Sequence, residues 1–214
     1  MTGAVLFDLD GTLADTEPLS QAAWAAVIAQ HGYEPTPEDL ASLPGMSFGQ
    51  AYGVFAARVA LPGEEAIFDE HAAHLFPAID AELEVFADAI GVVRALAQRA
   101  VPLALVSASR RPRVQRTLRA AGIEGCFDVL VCGGEVERPK PAPDGYLAAA
   151  AALGVEAGCC VVVEDTASGV QAGRAAGARV IALERSGAVA ADAHARVAEL
   201  SLDAVLDELE RAAC

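Results

Sequence analysis

Five short apolar runs fix most of what this chain can become: Ala4 to Phe7, Leu103 to Val106, Val129 to Cys132, Cys159 to Val163 and Val180 to Leu183. They are rich in β-branched residues and continuous rather than alternating, as parallel strands covered on both faces are. Helical patterns lie between them: Ala89 to Arg99 before the second run, Pro112 to Ala121 after it, then Asp144 to Leu153 and Thr166 to Ala176. The last three stop at Gly122, Gly154 and Gly177, as a helix end in left-handed conformation favours. Strand alternating with helix predicts an α/β fold, a doubly wound (Rossmann-like) parallel sheet with right-handed crossovers.

Residues 15 to 83 break the alternation and show no strand-like run. Asp15 or Thr16 can cap a helix with Pro18 in its first turn. Trp24 and Ile28 continue an apolar face, Gly32 ends it, and Pro35, Pro37, Pro44 and Pro62 punctuate the stretch beyond it. The pattern predicts an all-helical insert over 15–83, set into an α/β core of 1–14 and 84–214. At 214 residues, 54% of them hydrophobic, the chain is long enough for one core with such an insert.

Four places carry chemistry. Each lies at the C-terminal end of a predicted strand or in the loop after one, where the strands of a parallel sheet converge on one crevice. The first is Asp8-Leu9-Asp10-Gly11-Thr12. Carboxylates at i and i+2 on an extended segment point the same way. So close together they repel, and need a cation or a shared proton; a hard divalent ion suits them. A turn rich in Asp and Gly is the plainer reading of this motif alone. An EF-hand loop fits poorly, because its glycine and its bidentate glutamate would fall at Leu13 and Leu19.

The second place is Ser107, followed by Ala108 and Ser109. Its hydroxyl can bind a phosphate oxygen, although a serine after a strand is more often a helix cap. The third is Lys140, the only lysine beside 14 arginines, within Arg138-Pro139-Lys140-Pro141-Ala142-Pro143. The prolines forbid helix and predict an extended stalk that presents the ammonium, a compact charge for which guanidinium is no substitute. The fourth is Glu164-Asp165, followed by Thr166, Ser168 and Gly169; one acid there can merely cap the next helix. Acid pair, hydroxyl, lysine and acid pair together are the groups that phosphoryl transfer uses.

The motifs FDLDGT, LVSAS, RPKPAP and VVVEDTASG, in this order, resemble the haloacid dehalogenase superfamily. Within it they resemble the branch with a helical cap inserted after the first motif, which holds sugar-phosphate phosphatases and β-phosphoglucomutase. The resemblance spans nearly the whole chain. It implies a phosphatase that hydrolyses a small phosphorylated metabolite, a sugar phosphate, through an aspartyl-phosphate. It makes Asp8 the nucleophile and Asp10 the general acid/base. Ser107 and Lys140 would hold the transferring phosphoryl group, with Thr12 and Ala108 beside it. Mg²⁺ would be held by Asp8, the backbone carbonyl of Asp10 and Asp165, with Glu164 assisting. The charge of Asp8 is expected to raise the pKa of Asp10, opposed by the ion.

Three rivals are weaker. Dehalogenating relatives attack carbon and typically lack the second acid, here Asp10. β-Phosphoglucomutase shares the Ser-Ala-Ser and Glu-Asp patterns, but has a histidine in the place of Ser20, an arginine in the place of Phe48 and usually a bulkier apolar residue in the place of Thr12. A mutase must hold a second phosphate, which favours a guanidinium that Phe48 cannot supply. A non-enzymatic receiver domain of a signalling system uses the same parts, but its acceptor aspartate lies on the third strand and it has no cap.

The net charge of −15 argues against nucleic acid and anionic lipid as partners. The longest apolar run, Tyr146 to Val155, is short of the ~18 residues of a membrane span. The first basic residue is Arg58 and the five cysteines form no CxxC pair, so a cytoplasmic protein with reduced thiols is expected, its partner a small phosphorylated substrate and its state monomeric. Arg110, Arg111, Arg113 and Arg116 read as a solvated basic face, with steering of substrate by Arg110 or Arg111 the sharper alternative. Thr16, Ser20 and Trp24 share one helix face, Trp24 as core. Ser20 and the loop from Gly45 to Phe48 are the expected substrate contacts in the cap.

Overall fold

The computed structural model describes residues 3–185 and 192–212. β1 (Ala4–Phe7) lies at the middle of a six-stranded sheet with β4 (Leu103–Val106), β5 (Val129–Val131), β6 (Cys160–Glu164), β7 (Arg179–Leu183) and β8 (Ala195–Val197). The order is β5-β4-β1-β6-β7-β8, and every pairing in it is parallel. Such a sheet buries both faces, and alternate residues of β1 serve the two sides. Val5 and Phe7 pack with α5 (Ala87–Gln98), α6 (Arg111–Ala120) and α9 (Leu202–Glu210), while Ala4 and Leu6 pack with α7 (Asp144–Leu153) and α8 (Ala167–Ala175). This is the doubly wound arrangement that the sequence predicts.

Four helices stand between β1 and the rest of the sheet: α1 (Glu17–Gln30), α2 (Pro37–Ala41), α3 (Phe48–Ala56) and α4 (Glu64–Glu82). They have a core of their own, with Trp24, Val27 and Ile28 of α1 against Leu43, Ala51 and Phe55 and Ile67 of α4. The chain leaves for them through β2 (Ala14–Asp15) and returns through β3 (Glu84–Val85), and these two short strands pair antiparallel. No helix among the described residues is long and apolar enough to cross a membrane.

The structure departs from expectation in elements that the sequence pattern does not predict, the short pair β2 and β3 among them, and in one loop. β8 and α9 were not predicted; β8 is three residues long and half-exposed, too brief to leave an apolar run. The loop around Lys140 is not an extended stalk. It bends into a turn in which the Ala142 N–H donates to the Pro139 carbonyl at 3.0 Å, and the Lys140–Pro141 peptide is cis. The prolines exclude helix, as predicted, without enforcing extension. Cys214 lies outside the described residues, and Cys126 and Cys132 are free thiols.

Candidate active site

The four motifs meet at the C-terminal edge of the sheet, on either side of β1. Lys140 Nζ donates to Asp8 Oδ1 at 2.5 Å, to Glu164 Oε1 at 2.6 Å and to the Val106 carbonyl at 3.0 Å. Glu164 is the last residue of β6 and continues the alternation of Cys160 and Val162, so it points to the α7 side and is fully buried. There it accepts from the Tyr146 hydroxyl at 3.0 Å. Its other oxygen accepts from the backbone N–H groups of Asp165 and Thr166, each at 3.0 Å, and from the Thr166 hydroxyl at 2.9 Å. Thr166, not an acid, caps α8, accepting from Gly169 N–H. A Cβ on Gly169 would lie 1.7 Å from Glu164 Oε1, so only glycine leaves room for this carboxylate.

Asp165 accepts from Thr12 Oγ1 at 3.1 Å. It presses so close to Gly11, whose φ is +81°, that a Cβ there would lie 2.1 Å from Asp165 Oδ2. Oxygens of Asp8, Glu164 and Asp165 lie within 4.8 Å of one another, and all three residues are buried. Burial pushes the Asp8 carboxyl well above the usual carboxylate range; Lys140 opposes this, and Glu164, Asp165 and Asp10 push further upward. Burial and Glu164 raise Asp165 to about 7 against the Thr12 hydrogen bond and Lys140. Burial works against the charge of Lys140, but Asp8 and Glu164 overcome it and hold the ammonium well above its ordinary value. Three buried carboxylates around one ammonium are an excess of negative charge. An all-oxygen donor set of that kind fits a hard divalent cation.

Asp10 faces the same cleft but not the same partners. Its Oδ2 accepts from Ser109 Oγ at 2.9 Å and Ser107 Oγ at 3.2 Å; its Oδ1 accepts from Arg113 at 2.8 Å and from the Thr16 hydroxyl. The two aspartates therefore do not share one cation. Each has its own, Lys140 for Asp8 and Arg113 for Asp10. Burial pushes the Asp10 carboxyl up, but Arg113 and the hydroxyls of Thr16, Ser109 and Ser107 outweigh it and hold it below its ordinary value. This corrects the expectation that Asp8 raises it. The Asp10 side chain also stands apart from the three-carboxylate group. Ser107 is no helix cap: α6 starts at Arg111, and the Ser107 hydroxyl accepts from Ser109 N–H at 3.0 Å and bonds Asp10.

The arginine row is not a solvated face. Arg110, Arg113 and Arg116, at i, i+3 and i+6, lie on the side of α6 that meets the helical unit. Arg110 pairs with Glu64 and Glu65 of α4 and lies over the rings of Phe48 and Phe68, 4.9 and 4.5 Å from their centroids. Arg116 pairs with Asp80 of α4 and lies 5.2 Å over Phe76. Arg113, between them, turns into the cleft to Asp10, Thr16 and Ser20. Arg111 pairs with Glu135 and the Leu130 carbonyl, away from substrate. The signal in the sequence was the three-residue spacing, which marks a docking face as well as a wet one.

The cleft holds about 800 Å³ of free space, part of it open to solvent. Asp8, Asp10, Lys140, Glu164, Ala108 and Ser109 form its floor; Ser20, Gly45, Met46 and Phe48 belong to its helical wall. Trp24 is buried core, as predicted, and also borders the cleft, with His71 4.8 Å from it. Sequence reasoning missed Arg113, Tyr146, Thr16 and Ser109 as parts of the site. The sequence offers Thr16 as a cap of α1 and as a neighbour of Ser20 and Trp24 on one helix face; its hydroxyl makes no cap bond and serves Asp10.

The model of the haloacid dehalogenase-like hydrolase family matches residues 2–177. "Protein SUPPRESSOR OF QUENCHING 1, chloroplastic" of Arabidopsis thaliana is 38% identical over 85% of this chain, and the chain spans only 18% of its length. Hexitol phosphatase A of Escherichia coli is 34% identical over 83% of this chain and 81% of its own. The crystal structure of CbbY from Rhodobacter sphaeroides in complex with phosphate superimposes with a TM-score of 0.88 at 25% identity, covering 98% of this chain and 100% of that one.

Proposed function

This chain belongs to the haloacid dehalogenase-like hydrolase family, and from that premise we propose that it is a Mg²⁺-dependent phosphatase of a small phosphorylated metabolite, a sugar phosphate, working through an aspartyl-phosphate on Asp8. The observation that carries this reading is the Lys140 ammonium joining Asp8 and Glu164 at the centre of the converged motifs. Residues 15–83 are read as a cap domain over a core of 1–14 and 84–214. The phosphatase named among the relatives supports the reaction class.

The donor set fits a hard cation, and the residues to hold Mg²⁺ are Asp8 and Asp165. Glu164 contributes charge but has both oxygens occupied by Lys140, Tyr146, Thr166 and the backbone of Asp165; the Asp10 backbone carbonyl is taken over from the resemblance. The bound ion would offset the repulsion between a carboxylate nucleophile and an anionic phosphate. Lys140 does the same from the other side and holds the phosphoryl oxygens, with the Ser107 hydroxyl and the Thr12 and Ala108 loops beside it. An Asp8 oxygen attacks phosphorus as the ester P–O bond breaks; Asp10, ionised while Arg113 and three hydroxyls hold it, must first take a proton from solvent and then passes it to the departing alcohol oxygen. Asp10 then takes a proton from water as the water oxygen attacks phosphorus, which frees phosphate and restores Asp8. The helical wall keeps bulk water from the cleft.

A mutase needs a free cation for a second phosphate. The two guanidiniums of the cleft are committed, Arg110 to Glu64 and Glu65, Arg113 to Asp10. That favours hydrolysis. The test is phosphate release from a panel of sugar phosphates and other small phosphoesters with Mg²⁺, with β-glucose 1-phosphate and a bisphosphate primer included. Metal-dependent release of phosphate supports the reading; isomerisation without release would replace it.

A further inference from the structure

We propose that Arg113 is the positioning residue for Asp10: its guanidinium fixes the carboxylate in the orientation from which a proton reaches the leaving oxygen. The inference rests on the reading of Asp10 as the general acid/base.

Four donors hold Asp10, and three are neutral hydroxyls: Thr16, Ser107 and Ser109. Arg113 alone brings charge, through an N–H···O bond of 2.8 Å between groups that are each 15% exposed. Lys140 is taken up by Asp8 and Glu164. The charge of Arg113 opposes protonation of Asp10, so what it contributes to an acid is direction: it holds the carboxyl on the side of the cleft away from Asp8, Glu164 and Lys140. The same guanidinium reaches Thr16 at 3.0 Å and Ser20 at 3.2 Å, so one rigid fork ties Asp10 to the first turns of α1. A helix-borne fork sets direction as well as charge. The flanking arginines show what a purely structural role looks like on this helix. Arg110 and Arg116 clasp α4 through carboxylates and rings, whereas Arg113 turns inward and leaves its buried Nε without a partner among the described residues.

The test uses leaving groups. An alkoxide departs only with a proton, whereas p-nitrophenolate departs without one. Single-turnover phosphoryl transfer to the Mg²⁺-loaded enzyme is timed by rapid quench with sorbitol 6-phosphate and with p-nitrophenyl phosphate. Arg113→Met keeps the stem of the side chain, Arg113→Lys restores a cation, and a thermal melt of each shows that it folds. In Arg113→Met the ratio of the aryl to the alkyl rate constant rises by about tenfold or more, within the range general acid catalysis supplies, and Arg113→Lys brings it part of the way back. An unchanged ratio in a folded Arg113→Met enzyme, whether both rates fall together or neither falls, overturns the proposal. Asp10→Asn run alongside separates the two layers. If it raises the ratio and Arg113→Met does not, Arg113 alone is misread; if it does not, the acid role of Asp10 falls and the proposal with it.

Discussion

Lys140 Nζ lies 2.5 Å from Asp8 Oδ1, joining residues 132 positions apart. The chain has one lysine, and it sits where a short, movable charge must touch Asp8, Glu164 and the Val106 carbonyl at once. A guanidinium is too wide for that enclosure. Lys140→Arg is expected to lower kcat/KM by about 10²–10³-fold, the scale of losing one preorganised charge at the reacting group. Lys140→Met should in addition cost about 3–5 kcal/mol at neutral pH, because it strands buried carboxylates. Steady-state kinetics and urea midpoints check both; an Arg variant of near wild-type activity would contradict the geometry.

Gly11 is where the backbone makes room for Asp165. In Gly11→Ala the methyl group would meet Asp165 Oδ2 at 2.1 Å on a backbone with φ of +81°, so the carboxylate must move. Magnesium affinity, read by titrating activity against Mg²⁺, is expected to weaken about 10–100-fold, as loss of support around a ligand does. An unchanged Mg²⁺ midpoint would separate Asp165 from the ion.

His71 is buried, its ring 5.6 Å from Phe48 and 4.8 Å from Trp24, and its Nε2 is 3.4 Å from the Ser20 carbonyl. Burial first, and the Arg113 charge second, lower its pKa to about 3. The unfolded chain takes up this proton near pH 6.5 and the folded one does not, so acidification favours unfolding. His71 therefore lowers stability as pH falls from about 7 toward 3, by up to ~1.4 kcal/mol per unit. Asp165, raised to about 7 in the fold, works in the opposite sense over the same range. The difference between wild type and His71→Phe isolates the first effect. The variant should hold its melting temperature better between pH 7 and pH 5, and parallel curves would contradict this.

The α6 clasps join the helical unit to the sheet through Arg110 and Arg116. Both pairs are open to solvent screening, so each contributes little to stability. Arg110→Ala with Arg116→Ala should barely move the urea midpoint. The same variant should raise KM several-fold and blunt the loss of kcat/KM with salt that screening of these pairs causes in wild type. Arg111, paired with Glu135, predicts no change in salt dependence on its removal; if Arg111→Ala alone abolished it, substrate steering would be back in force.

Much of this was legible beforehand. The apolar runs located β1, β4, β5, β6 and β7 because strands buried on both faces leave continuous hydrophobic segments. The loops after them named Asp8, Ser107, Lys140, Glu164 and Asp165 because a parallel sheet gathers its strand ends. The partners of Asp10 were hidden. An arginine row on a helix has the same spacing whether it faces water or another helix, so only the approach of α4 and α1 distinguishes Arg113 from Arg119, which pairs with Glu124 on the surface. Tyr146 was hidden for another reason: its hydroxyl is committed to Glu164 by the sheet register that turns this side chain inward, and no local pattern in α7 records that.

The most direct measurement is mass spectrometry of Asp10→Asn enzyme, acid-quenched after mixing with Mg²⁺ and a substrate from the phosphate-release panel. This variant keeps the nucleophile but loses the acid of the first step as well as the base of the second, so the substrate chosen is p-nitrophenyl phosphate, whose leaving group departs without a proton. The account predicts one added phosphoryl group on the peptide bearing Asp8, sensitive to hydroxylamine and absent from Asp8→Asn, which should turn over no substrate. Undiminished turnover by Asp8→Asn, or a phosphoryl group on any other residue, would contradict it.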